Sequence, residues 1–297
     1  MAAWLVVGML GVGAVALGWG RVATGTSAGG RPLDASAFAA GACVAFAPTA
    51  GNRNETVFLD AGHGGIDPGG IGTTESGKPI QEAKVNLPIA LATMALLRAH
   101  GFRVVLSRTR DSTVVRLSPA ELAAGTLSYT AAHDDVADRD VCANLAHARV
   151  LVGIYMDAGG PGNAGSVTAY DPDRTFARAN LRFATLLQHD VVSAMNAQGW
   201  GIPNGGVASD SEEGSYQGSA SQGGVQAGAA SYDHLLLLGP AMTGYFSTPS
   251  RMPGAVIEPL YLTDRFEGSI AASRHGQQVI AQGIARAVEQ FLSARRR

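Results

Sequence analysis

Residues 56–65 read TVFLDAGHGG, and this stretch decides the fold class. Thr56 to Ala61 is a β-branched, aromatic and aliphatic run, the pattern of a strand buried on both faces. Glycines on either side of His63 end it in a sharp loop, because glycine turns into left-handed backbone without penalty. Working outward, Val85, Ile89, Met94 and Leu97 fall near helical spacing over 83–100, and Gly101 is a stop. Phe102 to Leu106 predicts a second strand, Asp138 to Ala148 a helix and Val150 to Tyr155 a third strand. Residues 174–198 predict a long helix, Asp233–Leu238 and Ala255–Ile257 short apolar strands, and Arg274–Ser293 a closing amphipathic helix. Strands alternating with helices predict an α/β fold, three-layer αβα, around a mostly parallel twisted central sheet. In such sheets ligands sit at the carboxyl ends of the strands.

Composition narrows the function classes. The chain has 297 residues, 22 basic against 24 acidic, a net charge of −2 and 46% hydrophobic residues. That balance excludes a wholly disordered chain and a nucleic-acid binder working through a basic face. Glycine numbers 39 without a period of three, which excludes collagen. Two cysteines are too few for a disulfide scaffold or a cysteine-type structural zinc site. They admit one bridge, Cys43 to Cys142, if the compartment is oxidising; two free thiols are the other reading. Nothing points beyond a monomer.

Met1 to Gly20 carries no charged side chain. As a helix it spans roughly 30 Å, about one bilayer core, and Trp4 and Trp19 bound it as interface residues do. It reads as a membrane anchor, or as a signal segment cleaved near Thr26-Ser27-Ala28, and both predict export. Residues 21–54, rich in Gly, Ala, Ser and Thr, read as a linker, and 55–297 as the main domain. Within it, Gly, Ser and Gln dominate 200–231, where Asp210, Glu212 and Glu213 cluster. A loop of that length reads as a surface insertion or as a lid over the site.

Chemistry gathers where strands end. His63 follows the first strand, Glu82 opens the next helix and Glu258 ends the late strand Val256-Ile257-Glu258. An imidazole and a carboxylate converging at one face suit zinc, which takes nitrogen and oxygen ligands and keeps a position for water. A carboxylate at a buried strand end suits a general base. His100, His147 and His189 read as surface residues, His234 and His275 as structural ones and Glu267 as solvated.

The chain resembles a known family at five blocks in order. These are LDAGHGGIDPGGIG from Leu59, EAKVNL from Glu82, VVLSRTRD from Val104, Arg139 with Ala143-Asn144, and AVIEPLYLTD from Ala255. Together they look like the zinc-dependent N-acetylmuramoyl-L-alanine amidases of the Amidase_3 group, over about Thr56 to Phe291. The resemblance implies a zinc-exopeptidase-like fold. It also implies hydrolysis of the amide joining the lactyl group of muramic acid to L-alanine in peptidoglycan. It implies one Zn2+ held by His, Glu and His, with His63 and Glu82 matching the first two ligands and Glu258 the catalytic glutamate. The third ligand departs: Tyr155 stands where the family has histidine. Asp157, two residues on and on the same face of a continuing strand, is the first replacement expected, then Tyr155 itself, then His133 swinging in from a loop; the fourth reading is that zinc is poorly held and the chain is a catalytically inactive amidase-fold protein that binds peptidoglycan or regulates its remodelling. Arg139 reads as structural or, if exposed beside the site, as a partner for a stem-peptide carboxylate.

Overall fold

The apolar run at 56–61 forms the inner strand the sequence predicts, and the rest of the sheet is laid on both sides of it. The computed structural model describes residues 29–211 and 232–294. In chain order, β1 (Arg31–Pro32), β2 (Ala42–Phe46), β3 (Thr56–Ala61), β4 (Ile71–Thr73) and β5 (Pro79–Gln81) precede α1 (Glu82–Ala99). Then come β6 (Arg103–Arg108), α2 (Pro119–Ala124), α3 (Tyr129–Leu145), β7 (Val150–Ile154), β8 (Ser166–Tyr170) and α4 (Ala177–Asn196). β9 (Asn204–Ser209), β10 (Gly254–Glu258), α5 (Arg265–Ala272) and α6 (Arg274–Ser293) complete the described chain.

Among the described residues the main sheet has eight strands in the order β1-β2-β6-β3-β7-β10-β8-β9. The four central strands run parallel, with Ala61 level with Ile154 and Ile154 level with Ile257. β2 and β8 join them antiparallel, and β9 runs parallel to β8. The three strands β3, β7 and β10 and the two strands β8 and β9 therefore end at opposite edges of the sheet.

One face is covered by α1, α4 and α6, whose Ile89, Leu97, Phe183, Leu187, Ile284 and Phe291 pack on Leu59, Val104, Val152 and Ile257. The other face buries Phe58, Val105, Leu151 and Val256 under α3 and the Leu235–Leu238 run. Each fully buried aliphatic or aromatic side chain contributes about 1.5–3 kcal/mol relative to exposure, so these two cores hold the strand ends where loops can carry chemistry.

Three expectations need correction. The span 21–54 is not a linker throughout: β2 lies within it, fully buried and paired to β6 from Ala42–Arg108 to Phe46–Val104. Its Cys43 bridges to Cys142 of α3 with a Cα–Cα distance of 5.6 Å. Asp233–Leu238 is not a strand. Its leucines are buried while its backbone closes locally, Leu238 N and Gly239 N both donating to Leu235 O at 2.9 Å; a short apolar run alone does not distinguish a strand from a buried turn. The 200–231 insertion opens with an edge strand, β9, whereas 212–231 and the Met1–Gly20 segment lie outside the described residues. Among the described residues no helix is long and apolar enough to cross a membrane.

Candidate active site

His63 leaves β3 with φ of 59°, a left-handed conformation that side chains other than glycine rarely adopt. Such strain costs ~1–3 kcal/mol and persists only where the surroundings over-determine it. Here they do. Arg108, fully buried at the end of β6, donates to Ala61 O at 2.9 Å, Gly62 O at 3.0 Å and Ala83 O at 2.8 Å. Arg139 donates from Nη1 to Ala61 O at 2.9 Å and from Nη2 to His63 O at 3.2 Å. Burial, together with the Arg139 charge, pulls the Arg108 guanidinium down to about 10, which leaves it protonated at neutral pH.

The His63 ring is held at one nitrogen and open at the other. Nδ1 lies 2.8 Å from Asp67 Oδ2, and the other Asp67 oxygen accepts from Gly69 N at 3.1 Å. In the neutral ring, a carboxylate on Nδ1 fixes the proton there and leaves the Nε2 lone pair for a ligand, the arrangement found behind metal-bound histidines. Nε2 is buried and makes no hydrogen bond, yet stands 3.1 Å from Glu82 Oε2. Two donors at ~2.0–2.1 Å from a tetrahedral zinc would stand about 3.3 Å apart, so the pair fits a shared cation. Gly69 is required beside them: a Cβ there would meet His63 Cδ2 at 2.5 Å and Glu82 Oε2 at 2.6 Å.

Glu82 is the first residue of α1, where the helix dipole favours an anion. Its Oε2 accepts from Gly70 N at 2.7 Å, and its Oε1 accepts from Met156 N at 2.9 Å and Asn86 Nδ2 at 3.2 Å. Burial pushes this carboxyl up, but His63 and the two backbone N–H groups outweigh it and hold Glu82 below the usual range. Burial likewise pulls His63 down, and the Glu82 and Asp67 carboxylates overcome it, raising the imidazole to about 10. A cation at Nε2 would compete with that proton.

The third donor does not join them. Tyr155 does not turn to the metal face: its hydroxyl donates to Asp60 Oδ2 at 2.9 Å, and its ring meets His63 edge-on at 5.3 Å. Burial and the Asp60 charge raise the phenol far above its ordinary value, so the side chain stays neutral and a poor ligand. A Cβ on Gly62 would strike the Tyr155 ring, so glycine is what lets the tyrosine pass under the loop. Asp157 is partly buried and near enough to Glu82 to feel its charge, which adds to burial in raising its pKa. Its Oδ1 is taken by Ala158 N at 2.7 Å. His133 is packed on the rings of Tyr245 and Phe246, at 4.8 and 6.3 Å, with Nδ1 3.1 Å from Asp134. Among the described residues, the one set of three His, Cys, Asp or Glu donors brought within metal reach lies elsewhere in the fold.

Glu258 closes β10 and is 3% exposed. Ile257, just before it, is level with Ile154 and so with Ala61, which brings Glu258 out at the same sheet edge as His63. Arg139, expected as a possible substrate contact, is 1% exposed and fully committed. It pairs with Asp60 and Asp135, each at 2.6 Å, and has no donor facing solvent for a stem peptide. Glu267, expected at the surface, is buried and accepts from Gly165 N and Tyr261 N, each at 2.7 Å. Sequence reasoning passed over Asp67 and Arg108. Asp67 stands four residues after His63 in the HGGID segment, but nothing in that spacing reveals the turn that folds it back.

Comparison with known proteins bears on the family and the fold. Residues 57–290 match the family described as N-acetylmuramoyl-L-alanine amidase, Amidase_3. A 67-residue segment is 45% identical to the N-acetylmuramoyl-L-alanine amidase AmiA of Salmonella typhimurium, covering 23% of this chain and 22% of that protein. Among solved structures, the CwlD amidase of Clostridioides difficile, in complex with the GerS lipoprotein, superposes with a TM-score of 0.58 at 20% identity. That match covers 81% of this chain and 100% of CwlD. The N-acetylmuramoyl-L-alanine amidase AmiC2 of Nostoc punctiforme gives 0.54 at 22% identity, over 82% and 99%. At these identities the structures speak to the fold alone, a mostly parallel sheet between helical layers. With the family match spanning most of the length, the chain belongs to the Amidase_3 family of N-acetylmuramoyl-L-alanine amidases.

Proposed function

We propose that this protein hydrolyses the amide between the lactyl carboxyl of N-acetylmuramic acid and L-alanine of the stem peptide, with Glu258 as the general base. The observation that carries the reading is the buried His63 ring, held at Nδ1 by Asp67 and open at Nε2 beside Glu82. His63 and Glu82 are the residues that would hold Zn2+. Bound there, zinc would supply an acidified water and a polarised carbonyl.

The chain's own groups set the proton path. Glu258, a buried carboxylate at the same strand edge, would accept a proton from the attacking water. Oxygen adds to the lactyl carbonyl carbon, the carbon–nitrogen bond breaks, and the proton returns to the departing L-alanine amine. Asp67 keeps His63 in one tautomer, and Arg108 and Arg139 keep the loop carbonyls from turning into the site.

Export follows from the same reading. The Cys43–Cys142 bridge suits an oxidising compartment, and the uncharged Met1–Gly20 would carry the chain there as an anchor or signal. Peptidoglycan is then the partner, and the chain works as a monomer.

One observation favours a second reading. Because the Tyr155 hydroxyl is tied to Asp60, the metal face has two preorganised donors, and the fold would then bind peptidoglycan without cutting it. The two are separated by incubating the full-length protein and its Glu258→Gln variant with purified muropeptides. The hydrolytic reading expects free stem peptide from the first and none from the second. Retention of intact muropeptides by both would favour the binder.

A further inference from the structure

A second set of donors stands at the opposite edge of the sheet. β8 and β9 run parallel with Tyr170 level with Ser209, so the next residue of each, Asp171 and Asp210, leaves the sheet side by side. Both are fully buried. His234, from the segment that follows residues 212–231, lies over them with its side chain 15% exposed.

Each carboxylate is anchored at one oxygen and turned inward at the other. Asp171 Oδ1 accepts from Asp173 N, while Asp171 Oδ2 accepts no hydrogen bond and lies 3.5 Å from His234 Nδ1. Asp210 Oδ2 accepts from Leu235 N at 3.2 Å, while its Oδ1 is hydrogen-bonded to the same Nδ1 at 3.3 Å. Those spacings are near the ~3.3 Å expected between donors sharing a tetrahedral zinc. Nε2 on the far side of the ring faces Asp173 Oδ2 at 3.8 Å, the position from which an outer carboxylate orients a metal-bound imidazole.

The neighbouring cation gives these oxygens no hydrogen bond. Arg174 gives its hydrogen bonds to Leu238 O at 2.7 Å, Gly239 O at 2.9 Å and to Ser250.

We propose that Asp171, Asp210 and His234 form a binding site for a divalent transition-metal ion, zinc by its mixed carboxylate–imidazole donors, separate from the His63–Glu82 site. Two carboxylates and one imidazole leave one tetrahedral position for water. An all-oxygen set would have suited calcium; the imidazole shifts the preference to zinc. The site is well removed from the other edge. Glu258 pairs with Val167, and four residues at ~3.3 Å each put roughly 13 Å between that level and Asp171. A metal here would tie the edge strands to the start of the buried Leu235–Leu238 run.

The test uses the full-length protein, freed of metal and titrated with Zn2+ alone, with bound zinc counted by elemental analysis. Replacing His234 by alanine should remove one equivalent and weaken uptake at this edge by more than ~10–100-fold, the loss typical of an outer partner alone. His63→Ala should leave that equivalent in place. Cobalt loading adds a spectroscopic readout: the tetrahedral absorption bands belonging to this edge should be lost in His234→Ala and kept in His63→Ala. Zinc content unchanged by His234→Ala, a folded protein that takes up no zinc at this edge, or uptake of Ca2+ in preference to Zn2+ would each overturn the proposal.

Discussion

At one edge of the sheet β3, β7 and β10 end together, and they bring out His63, Tyr155 and Glu258 beside Glu82 of α1. At the other, the reversed strands β8 and β9 end together and set Asp171 and Asp210 beneath His234. The first edge carries the family's motif yet gathers two close donors, His63 and Glu82, 3.1 Å apart. The second carries no motif yet gathers three. The difference teaches that a motif records descent, whereas a metal site requires only that donors converge with their outer atoms held. Parallel strands ending at one level supply that convergence wherever both end in ligand residues.

The strongest way to break the comparison is at Glu258. If the first edge is the hydrolytic one, Glu258→Gln should lower the rate of stem-peptide release by about 10²–10⁴-fold, the usual share of a general acid–base. Zinc held at the second edge should be unchanged. The disulfide offers a control belonging to neither edge. It joins β2 to α3 across 99 residues, so replacing Cys43 and Cys142 by serine should cost about 2–5 kcal/mol. Thermal unfolding should record that as a lower Tm, with zinc affinity at both edges preserved in the folded protein.

A smaller change sharpens the first edge alone. Asp67→Asn removes the carboxylate from His63 Nδ1 and should weaken zinc binding or turnover by ~10–100-fold, read by zinc titration in a His234→Ala background. Smallest is Tyr155→Phe. It takes the hydroxyl from Asp60 Oδ2 and leaves that buried oxygen short of a donor, costing about 1–3 kcal/mol in chemical denaturation. If instead zinc binding at His63 and Glu82 were lost with it, Tyr155 would be a ligand after all.

How far the sequence reaches differs between the two edges for physical reasons. β3 was legible because an unbroken apolar run followed by Gly-His-Gly-Gly has few alternatives to a buried strand and a tight loop. α1 and α6 were legible through their apolar spacing. β2 was hidden because its five residues, apolar and mostly small, sit inside a Gly- and Ala-rich stretch whose composition spoke for a linker. Their partner is β6, far along the chain, and pairing of that kind leaves no local mark. Asp171, Asp210 and His234 were hidden for the same reason. They lie far from one another in sequence, and only the register of β8 with β9 and the buried turn at Leu235–Leu238 bring them together. Arg139 could be placed near the site from its block, but not its burial, because that depends on Asp60 and Asp135 being waiting partners.

The central claim is that the His63 edge cuts the lactyl–alanine amide, and the most direct measurement is mass spectrometry of muropeptides digested by the zinc-loaded protein in heavy-oxygen water. The account predicts a free stem peptide beginning at L-alanine and one heavy oxygen in the released lactyl carboxylate, at a rate that collapses in Glu258→Gln. Intact muropeptides, or a label placed in a peptide or sugar product instead, would contradict it.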